Sequence, residues 1–304
     1  MREVFMERNE EKKGITLGIF AYVLWGIIPL YWKLLGEVPA VSLLFNRVVW
    51  SFVTMVLFLL VVKSQRKVFF KDVAMLKKEK KKILAIILAA IFITVNWGTF
   101  IYSVQIGDVT AASLGYYINP LANVLLGTLV LKEKLSRTAK IACVFGLIGV
   151  ILLTIQTGHL PVTSLVMAAS FSIYGLIKKG LALGSATSLT LETLVIFPFA
   201  LAYLLFFAPD GFLQYDWSTN LLLFGAGTIT SIPLLLFAEA AKRISFIILG
   251  FIQYINPTIM LIMAIFLFHE TYTLQQFIAF SFIWLGILIF VYGSVKTGLK
   301  YRKT

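Results

Sequence analysis

The sequence is divided into ten runs of apolar residues, each about as long as a lipid bilayer is thick. A helix rises about 1.5 Å per residue, so about 20 residues cross a hydrocarbon core of about 30 Å. Because lipid offers the backbone no hydrogen bonds, such runs form helices. The pattern predicts an all-α membrane protein with ten transmembrane helices, at approximately residues 14–35, 40–62, 83–106, 109–131, 138–156, 160–177, 187–208, 219–241, 244–268 and 274–295.

The composition favours the same fold class. Of the 304 residues, 60% are hydrophobic and 13% are charged, and the mean hydropathy is +0.92, which is too apolar for a soluble globular domain. The first run begins at Gly14 and lacks the cleavage pattern of a signal peptide, so we expect a retained span. Cys143 is the single cysteine, which excludes an intrachain disulfide and a cysteine metal site.

The net charge is +13, and the positions of the basic residues indicate membrane topology rather than a surface that binds nucleic acid. If the ten runs are helices, 25 of the 27 Lys and Arg residues fall on one side of the membrane, including Lys178 and Lys179 after the sixth run. The positive-inside rule places that side, with both termini, in the cytoplasm. We therefore expect a multi-pass protein of the bacterial cytoplasmic membrane, in contact with the lipid bilayer and with no nucleic-acid partner.

A repeated tetrapeptide indicates an internal duplication. Tyr-Ile-Asn-Pro occurs at 117–120 and again at 254–257, and with the same offset of 137 residues 9 of the 33 positions from 117 to 149 are identical. Each copy has five spans, and because this number is odd, the second copy is inverted in the membrane relative to the first. The sequence predicts two inverted five-helix repeats, at 14–156 and 160–295, between cytoplasmic tails at 1–13 and 296–304. Such repeats occur in secondary transporters, and channels can have them too.

Several local motifs resemble a known family. They are Ala-Tyr-Val-Leu-Trp-Gly-Ile-Ile-Pro at 21–29, Asn-Arg-Val-Val-Trp-Ser at 46–51, Ala-Ser-Leu-Gly-Tyr-Tyr-Ile-Asn-Pro-Leu at 112–121, Leu-Glu-Thr at 191–193 and Ser-Ile-Pro-Leu-Leu-Leu-Phe at 231–237. Over roughly residues 14–295 the chain resembles RarD proteins, in the EamA group of the drug/metabolite transporter superfamily. The resemblance implies a ten-helix inner-membrane carrier, associated by name with chloramphenicol sensitivity. It does not specify the cargo.

The two copies of the tetrapeptide predict a polar site at the middle of the membrane. Pro120 and Pro257 each remove a backbone donor, so we expect helix kinks that free carbonyl groups. Asn119 and Asn256 add amide groups at the same depth. A central substrate site is one interpretation, and amides that only tie helices together are the other.

Neighbouring polar and aromatic residues extend this predicted site. Asn96 is similarly deep, and Asn123 shares a helix face with Asn119. The deep aromatic residues that we expect to contact substrate are Trp25, Trp97, Tyr117 and Tyr254. Such walls suit a flat, aromatic or amphipathic cargo, although packing is the commoner role of deep aromatic rings.

Two charged residues lie within predicted spans. Arg47 is about 10 Å from the outer surface, where it can contact an anionic group of the substrate or link helices. Glu192 lies near the inner surface and is the candidate for proton coupling. About 12 Å of depth separates the two groups, so a direct ion pair between them is not expected.

The sequence favours a secondary transporter over other functions. The two histidines, His159 and His269, are too far apart for a membrane metalloprotease, and no phosphate-binding glycine loop appears. We therefore expect no enzyme activity, no metal, no cofactor and no use of ATP. A facilitative channel and a non-transporting binding or chaperone protein remain alternatives, and both a monomer and a homodimer remain open. Glu133 and Glu270, at equivalent ends of the repeats, are candidates for helix-end hydrogen bonding, for a lock between the halves, or for solvated helix ends.

Overall fold

The computed structural model describes residues 2–105, 109–157, 162–267 and 273–300, and these residues form helices and connecting turns without a β-strand. His159, His269 and Glu270 lie outside the described residues. The helices are α1 (Arg2–Lys33), α2 (Ala40–Val61), α3 (Lys63–Leu76), α4 (Lys80–Gln105), α5 (Val109–Leu129), α6 (Arg137–Thr157), α7 (Val162–Gly180), α8 (Ser185–Phe206), α9 (Trp217–Arg243), α10 (Phe246–Gln253), α11 (Ile255–Phe266) and α12 (Leu274–Lys300).

Eight helical segments of the described chain are long and apolar enough to cross a membrane. They are α1 from Asn9, α2, α4, α6, α8, α9, the α10–α11 segment and α12. Their outer faces carry large exposed apolar side chains such as Phe199 and Phe206, which lipid would cover. The prediction of an all-helical, multi-pass membrane fold is confirmed. The prediction of ten spans requires that α5 and α7, which are not among these eight, also cross the membrane.

The packing of the helices follows the duplication. In order along the chain, α1, α2, α4, α5 and α6 correspond to α7, α8, α9, α10–α11 and α12. α1 packs against α9 and α10–α11, and its counterpart α7 packs against α4 and α5. α2 packs against α8, and α6 against α12. Each of these contacts joins one half to the other, so the halves interleave in a single bundle.

The basic segment after α2, between the second and third predicted spans, contains the helix α3. α3 is amphipathic, and its buried face carries Asp72 and Leu76. Asp72 Oδ2 accepts a hydrogen bond of 2.8 Å from the backbone N–H of Gly184, just before α8. This basic segment, predicted to be cytoplasmic, is therefore partly folded against the bundle.

The first helix begins before the first apolar run. α1 starts at Arg2, so it continues through most of the segment that we predicted as a tail. Glu10 in this extension forms an ion pair of 2.9 Å with Arg243 at the end of α9. Similarly, α12 continues to Lys300, beyond the last apolar run.

The two copies of the tetrapeptide have different backbone structures. Pro120 lies inside the continuous helix α5. In the second copy, α10 ends at Gln253 and α11 begins at Ile255, with Tyr254 between them. Pro257 is thus in the first turn of α11, where its missing N–H would have no helical partner in any case. Starting a new helix just before the proline avoids a break in the hydrogen-bond ladder.

Candidate functional site

A cavity of about 100 Å³ lies where helices of the two halves meet, and we call it the central cavity. It is smaller than the roughly 300–1,000 Å³ of pockets that hold drug-sized ligands, so this conformation admits only a small solute. The residues that line it are Tyr22, Trp25, Ile28, Pro29, Trp32, Arg47, Asn96, Trp97, Phe100, Gly115, Tyr116, Asn119, Met167, Phe171, Thr230, Gln253, Asn256 and Met260.

The central cavity is nearer to one end of the bundle. The lining residues from α1 and α4 lie in the C-terminal halves of those helices, and Arg47 lies in the N-terminal half of α2. These ends point away from the basic segments, towards the side predicted to be outside. The cavity therefore lies between the middle of the bundle and its predicted outer end.

The duplicated tetrapeptide contributes equivalent residues to the central cavity. Asn119 and Asn256 both line it, and so do Tyr116 and Gln253, which the offset of 137 residues also equates. Tyr116 and Asn119 are three residues apart in the continuous helix α5 and so share a helix face, whereas Gln253 and Asn256 reach the cavity from either side of the break at Tyr254. The arrangement gives the cavity polar groups from both halves at matching positions.

Tyr117 and Tyr254, which we expected to contact substrate, are placed differently. Both are buried side chains that pack in a second cluster, with neighbours such as Phe280, and neither lines the central cavity. Each follows its cavity-lining neighbour by one residue, which turns its side chain by about 100° around the helix. In this conformation they pack helices together, and Tyr116 takes the position expected of Tyr117.

The asparagine side chains hold helices together and also leave acceptors free. Asn96 Nδ2 donates to the Met167 carbonyl at 2.9 Å, and Asn119 Nδ2 donates to the Ala168 carbonyl at 3.1 Å. Within the described residues, Oδ1 of Asn119 and Oδ1 of Asn256 are buried without a hydrogen-bond partner. A buried acceptor without a partner is costly, so each is available to a donor on a solute or to water. The interpretation that these amides tie helices together is thus supported for Asn96 and Asn119, and a role in binding substrate stays a prediction.

Asn123 does not line the central cavity. Its Nδ2 donates a hydrogen bond of 2.6 Å to Gln253 Oε1, so it positions a residue that does line the cavity.

Aromatic rings form much of the cavity wall. Trp25 packs against Phe171 with ring centroids 5.6 Å apart in a T-shaped arrangement, and against Tyr22 at 5.4 Å. Trp97, in α4, also lines the central cavity. Both tryptophans singled out from the sequence thus lie at the cavity, as does Trp32.

Arg47 projects into the central cavity between aromatic rings. Its guanidinium carbon lies 4.6 Å from the Trp32 ring centroid and 4.8 Å from that of Trp97. Nε donates a hydrogen bond of 3.2 Å to Thr230 Oγ1 in α9. No carboxylate among the described residues forms an ion pair with this guanidinium.

Glu192 lies outside the central cavity, in a buried ion pair that the sequence did not reveal. Lys178 Nζ is 2.7 Å from Glu192 Oε1, and both side chains are almost fully buried, with 1% and 2% exposed. Ser188 Oγ and Tyr174 OH also donate hydrogen bonds to the carboxylate. Our prediction that Lys178 follows the sixth span was therefore wrong, because Lys178 lies inside α7 and its ammonium group is satisfied within the bundle. A small second cavity beside Glu192 shares Trp97 with the central cavity.

Glu133 joins the two halves at the opposite end of the bundle from the cavity. Its two carboxylate oxygens accept hydrogen bonds from the backbone N–H groups of Phe246, at 2.7 Å, and Ile247, at 3.0 Å. A carboxylate at a helix N-terminus is favoured by the helix dipole, so Glu133 caps α10. Lys179 lies 3.8 Å from the same carboxylate.

Comparison with known proteins agrees with this architecture. The model of the EamA-like transporter family matches residues 12–155 and 161–292. The chain is 45% identical over 294 residues to the uncharacterized transporter YojE of Bacillus subtilis, covering 96% of this chain and 97% of that protein. It is 36% identical over 301 residues to Protein RarD of Escherichia coli, covering 98% of this chain and 100% of that protein.

A solved crystal structure shares the fold. The two chains superpose with a TM-score of 0.69 at 16% sequence identity, over 91% of this chain and 96% of the other. Fold, cavity and relatives together define a multi-pass bacterial membrane transporter. The chain belongs to the EamA-like transporter family, with RarD proteins among its relatives.

Proposed function

We propose that the protein is a secondary transporter that moves a small organic solute across the cytoplasmic membrane by alternating access around the central cavity. The observation that carries this proposal is the set of equivalent residues, Tyr116 with Gln253 and Asn119 with Asn256, that the two halves present to one cavity. Two similar halves can exchange conformations and so open the same cavity to each side in turn. The aromatic walls suit a metabolite or drug-like solute with a flat or amphipathic body.

The connection through Glu133 supports a gate at the predicted cytoplasmic end. Glu133 follows α5 in the first half and caps α10 in the second. Moving α10 away from α5 breaks two hydrogen bonds to a charged acceptor, so the closed arrangement is favoured while they persist. Opening towards the cytoplasm must disrupt this cap.

Proton coupling through Glu192 is part of the proposal. Protonation of this carboxylate would leave the Lys178 ammonium group buried without its counter-ion, which is strongly unfavourable. Lys178 lies in α7 and Glu192 in α8, so transfer of a proton to Glu192 has to be accompanied by a rearrangement of these two helices. Trp97, which lines both cavities, connects this event to the solute site.

Solute exchange in vesicles tests the proposal. The purified protein is reconstituted in vesicles loaded with a mixture of metabolites and amphenicol drugs, and efflux is followed by mass spectrometry with and without an imposed proton gradient. A carrier gives saturable efflux that the same solute on the other side accelerates. Flux without saturation indicates a channel, and tight binding without exchange indicates a binding or chaperone protein, so either result would contradict alternating access.

A further inference from the structure

Arg47 is the one charged side chain among the described residues that line the central cavity. The remaining lining residues are aromatic, aliphatic, amide or hydroxyl groups. The cavity wall therefore has a formal charge of +1 at neutral pH, in a part of the bundle predicted to lie within the membrane. A guanidinium group at that depth is costly unless an anion or strong hydrogen bonds compensate it.

The compensation that the protein supplies is incomplete. The two indole rings attract the cation through their π faces, which offsets part of its cost. The only hydrogen bond from Arg47 to the other described residues uses Nε and ends on the neutral hydroxyl of Thr230. The two terminal Nη groups have no acceptor among the described residues, although a guanidinium carries five donors.

We propose that the free edge of Arg47 binds the carboxylate of an organic anion, so that the cargo is a monoanion with a flat apolar body. This inference rests on the proposed transport function and gives its cargo a chemical class. A carboxylate matches the two parallel N–H groups of a guanidinium edge and accepts two hydrogen bonds at once. The contacts with Trp32, Trp97 and Thr230 hold the guanidinium in position before the anion arrives, which reduces the entropy lost on binding.

The rest of the central cavity selects the size and body of this anion. One cation and a volume of about 100 Å³ favour a small monocarboxylate over a phosphate with two charges. Trp25 and Phe171 offer apolar surface for a planar ring. A cationic solute would meet the charge of Arg47 without a compensating carboxylate on the cavity wall, so it is disfavoured.

A role for Arg47 in linking α2 to α9 does not account for the arrangement. The link consists of one hydrogen bond between Arg47 Nε and the Thr230 hydroxyl. A neutral side chain can make such a bond without the cost of a buried charge. The charge is explained by an anion that the cavity takes up.

Three aromatic probes of similar size test the charge of the cargo in the wild-type protein. Benzoate, benzamide and benzylamine share one ring and carry a negative charge, no charge and a positive charge at pH 7. Trp25, Trp32 and Trp97 are three of the six tryptophans in the chain and all line the central cavity, so tryptophan fluorescence reports binding there. We expect benzoate to bind at least about 10-fold more tightly than benzamide, with benzylamine the weakest. Equal affinities, or no binding of benzoate, would overturn the inference.

Variants locate the effect at Arg47. Arg47→Gln should remove the preference for benzoate over benzamide, and Arg47→Lys should keep part of it because the charge remains without the planar fork. Arg137→Gln makes the same change at an exposed position outside the cavity and should preserve the preference. A preference that persists in Arg47→Gln would refute the site. If that variant does not fold, the wild-type probe series still decides the charge of the cargo.

The result is distinguishable from a failure of the transport proposal. Binding of benzoate without any exchange of solutes in vesicles would refute transport and leave the anion site intact. Saturable exchange of neutral or cationic solutes, together with no preference for benzoate, would refute the anion site and leave transport intact.

Discussion

The hydroxyl group of Tyr117, in the first copy of the repeated tetrapeptide, donates a hydrogen bond of 3.0 Å to the backbone carbonyl of Pro257 in the second copy. The duplicated segments are therefore in direct contact, and the second copy supplies the carbonyl group of its proline as the acceptor. The equivalent hydroxyl, that of Tyr254, is buried without a hydrogen-bond partner among the described residues. Two side chains that the duplication makes equivalent thus have different roles in this conformation.

This asymmetry predicts unequal effects of two matched substitutions. Tyr117→Phe removes a buried hydrogen bond and should lower the free energy of unfolding by about 1 kcal/mol. Tyr254→Phe removes a hydroxyl without a partner and should be neutral or slightly stabilising. Thermal unfolding of both variants in the same detergent measures the difference. Equal losses of stability would show that the contact with Pro257 contributes nothing specific.

The amides of Asn119 and Asn256 in the central cavity are expected to contribute to binding rather than to membrane insertion. Asn256→Leu and Asn119→Leu each remove a free acceptor from the central cavity, so benzoate binding and solute exchange should weaken about 5- to 30-fold. Asn46→Leu is the control, because Asn46 is a buried asparagine that bonds to its own helix and does not line the cavity. Normal binding in both cavity variants, at normal amounts in the membrane, would argue against a midplane site.

The buried ion pair between Lys178 and Glu192 allows the stability of the protein and the pH dependence of solute exchange to be tested separately. Glu192→Gln leaves the Lys178 ammonium group uncompensated and should destabilise the protein by about 3–5 kcal/mol. Adding Lys178→Met should restore most of that stability, because no buried charge remains. If Glu192 carries the proton, the double variant should exchange solute at a rate independent of pH. An unchanged pH dependence in that variant would exclude Glu192 as the proton carrier.

The cap on α10 predicts a local change in backbone dynamics. Glu133→Gln weakens the hydrogen bonds to the N–H groups of Phe246 and Ile247, so hydrogen exchange at the start of α10 should become faster. Glu10→Gln is the matched control, since Glu10 pairs with the Arg243 side chain instead of with the backbone of α10. Unaltered exchange at Phe246 and Ile247 in Glu133→Gln would show that the cap does not hold the two halves together.

The sequence was informative where a property depends on local order along the chain. Apolar run length predicts the helical membrane fold, and the offset of 137 residues places Asn119 and Asn256 at equivalent positions. The same offset equates Tyr116 with Gln253, so the register could also have identified those two cavity residues. Tyr117 and Tyr254 are the residues that follow Tyr116 and Gln253, so they point about 100° further around the helix. The amphipathic character of a tyrosine does not indicate which of these directions faces the cavity.

Other features depend on neighbours that are distant in the sequence. Lys178 and Lys179 are adjacent and chemically identical, yet Lys178 is buried against Glu192 and Lys179 is half-buried against Glu133. Thr230 is one of many hydroxyl residues in the spans until α9 is placed beside Arg47. The break at Tyr254 also follows from packing, because the same tetrapeptide leaves α5 continuous.

The interleaved packing of the halves also sets the order in which the protein can be built. α1 ends at Lys33, but its partner α9 is complete only at Arg243. At about 5–20 residues per second, ribosomes need on the order of 10–40 s to make the intervening chain. During that interval the faces of α1 that will contact α9 and α11 must remain inserted in lipid without their partners. α1 is therefore synthesised well before the helices that complete its packing.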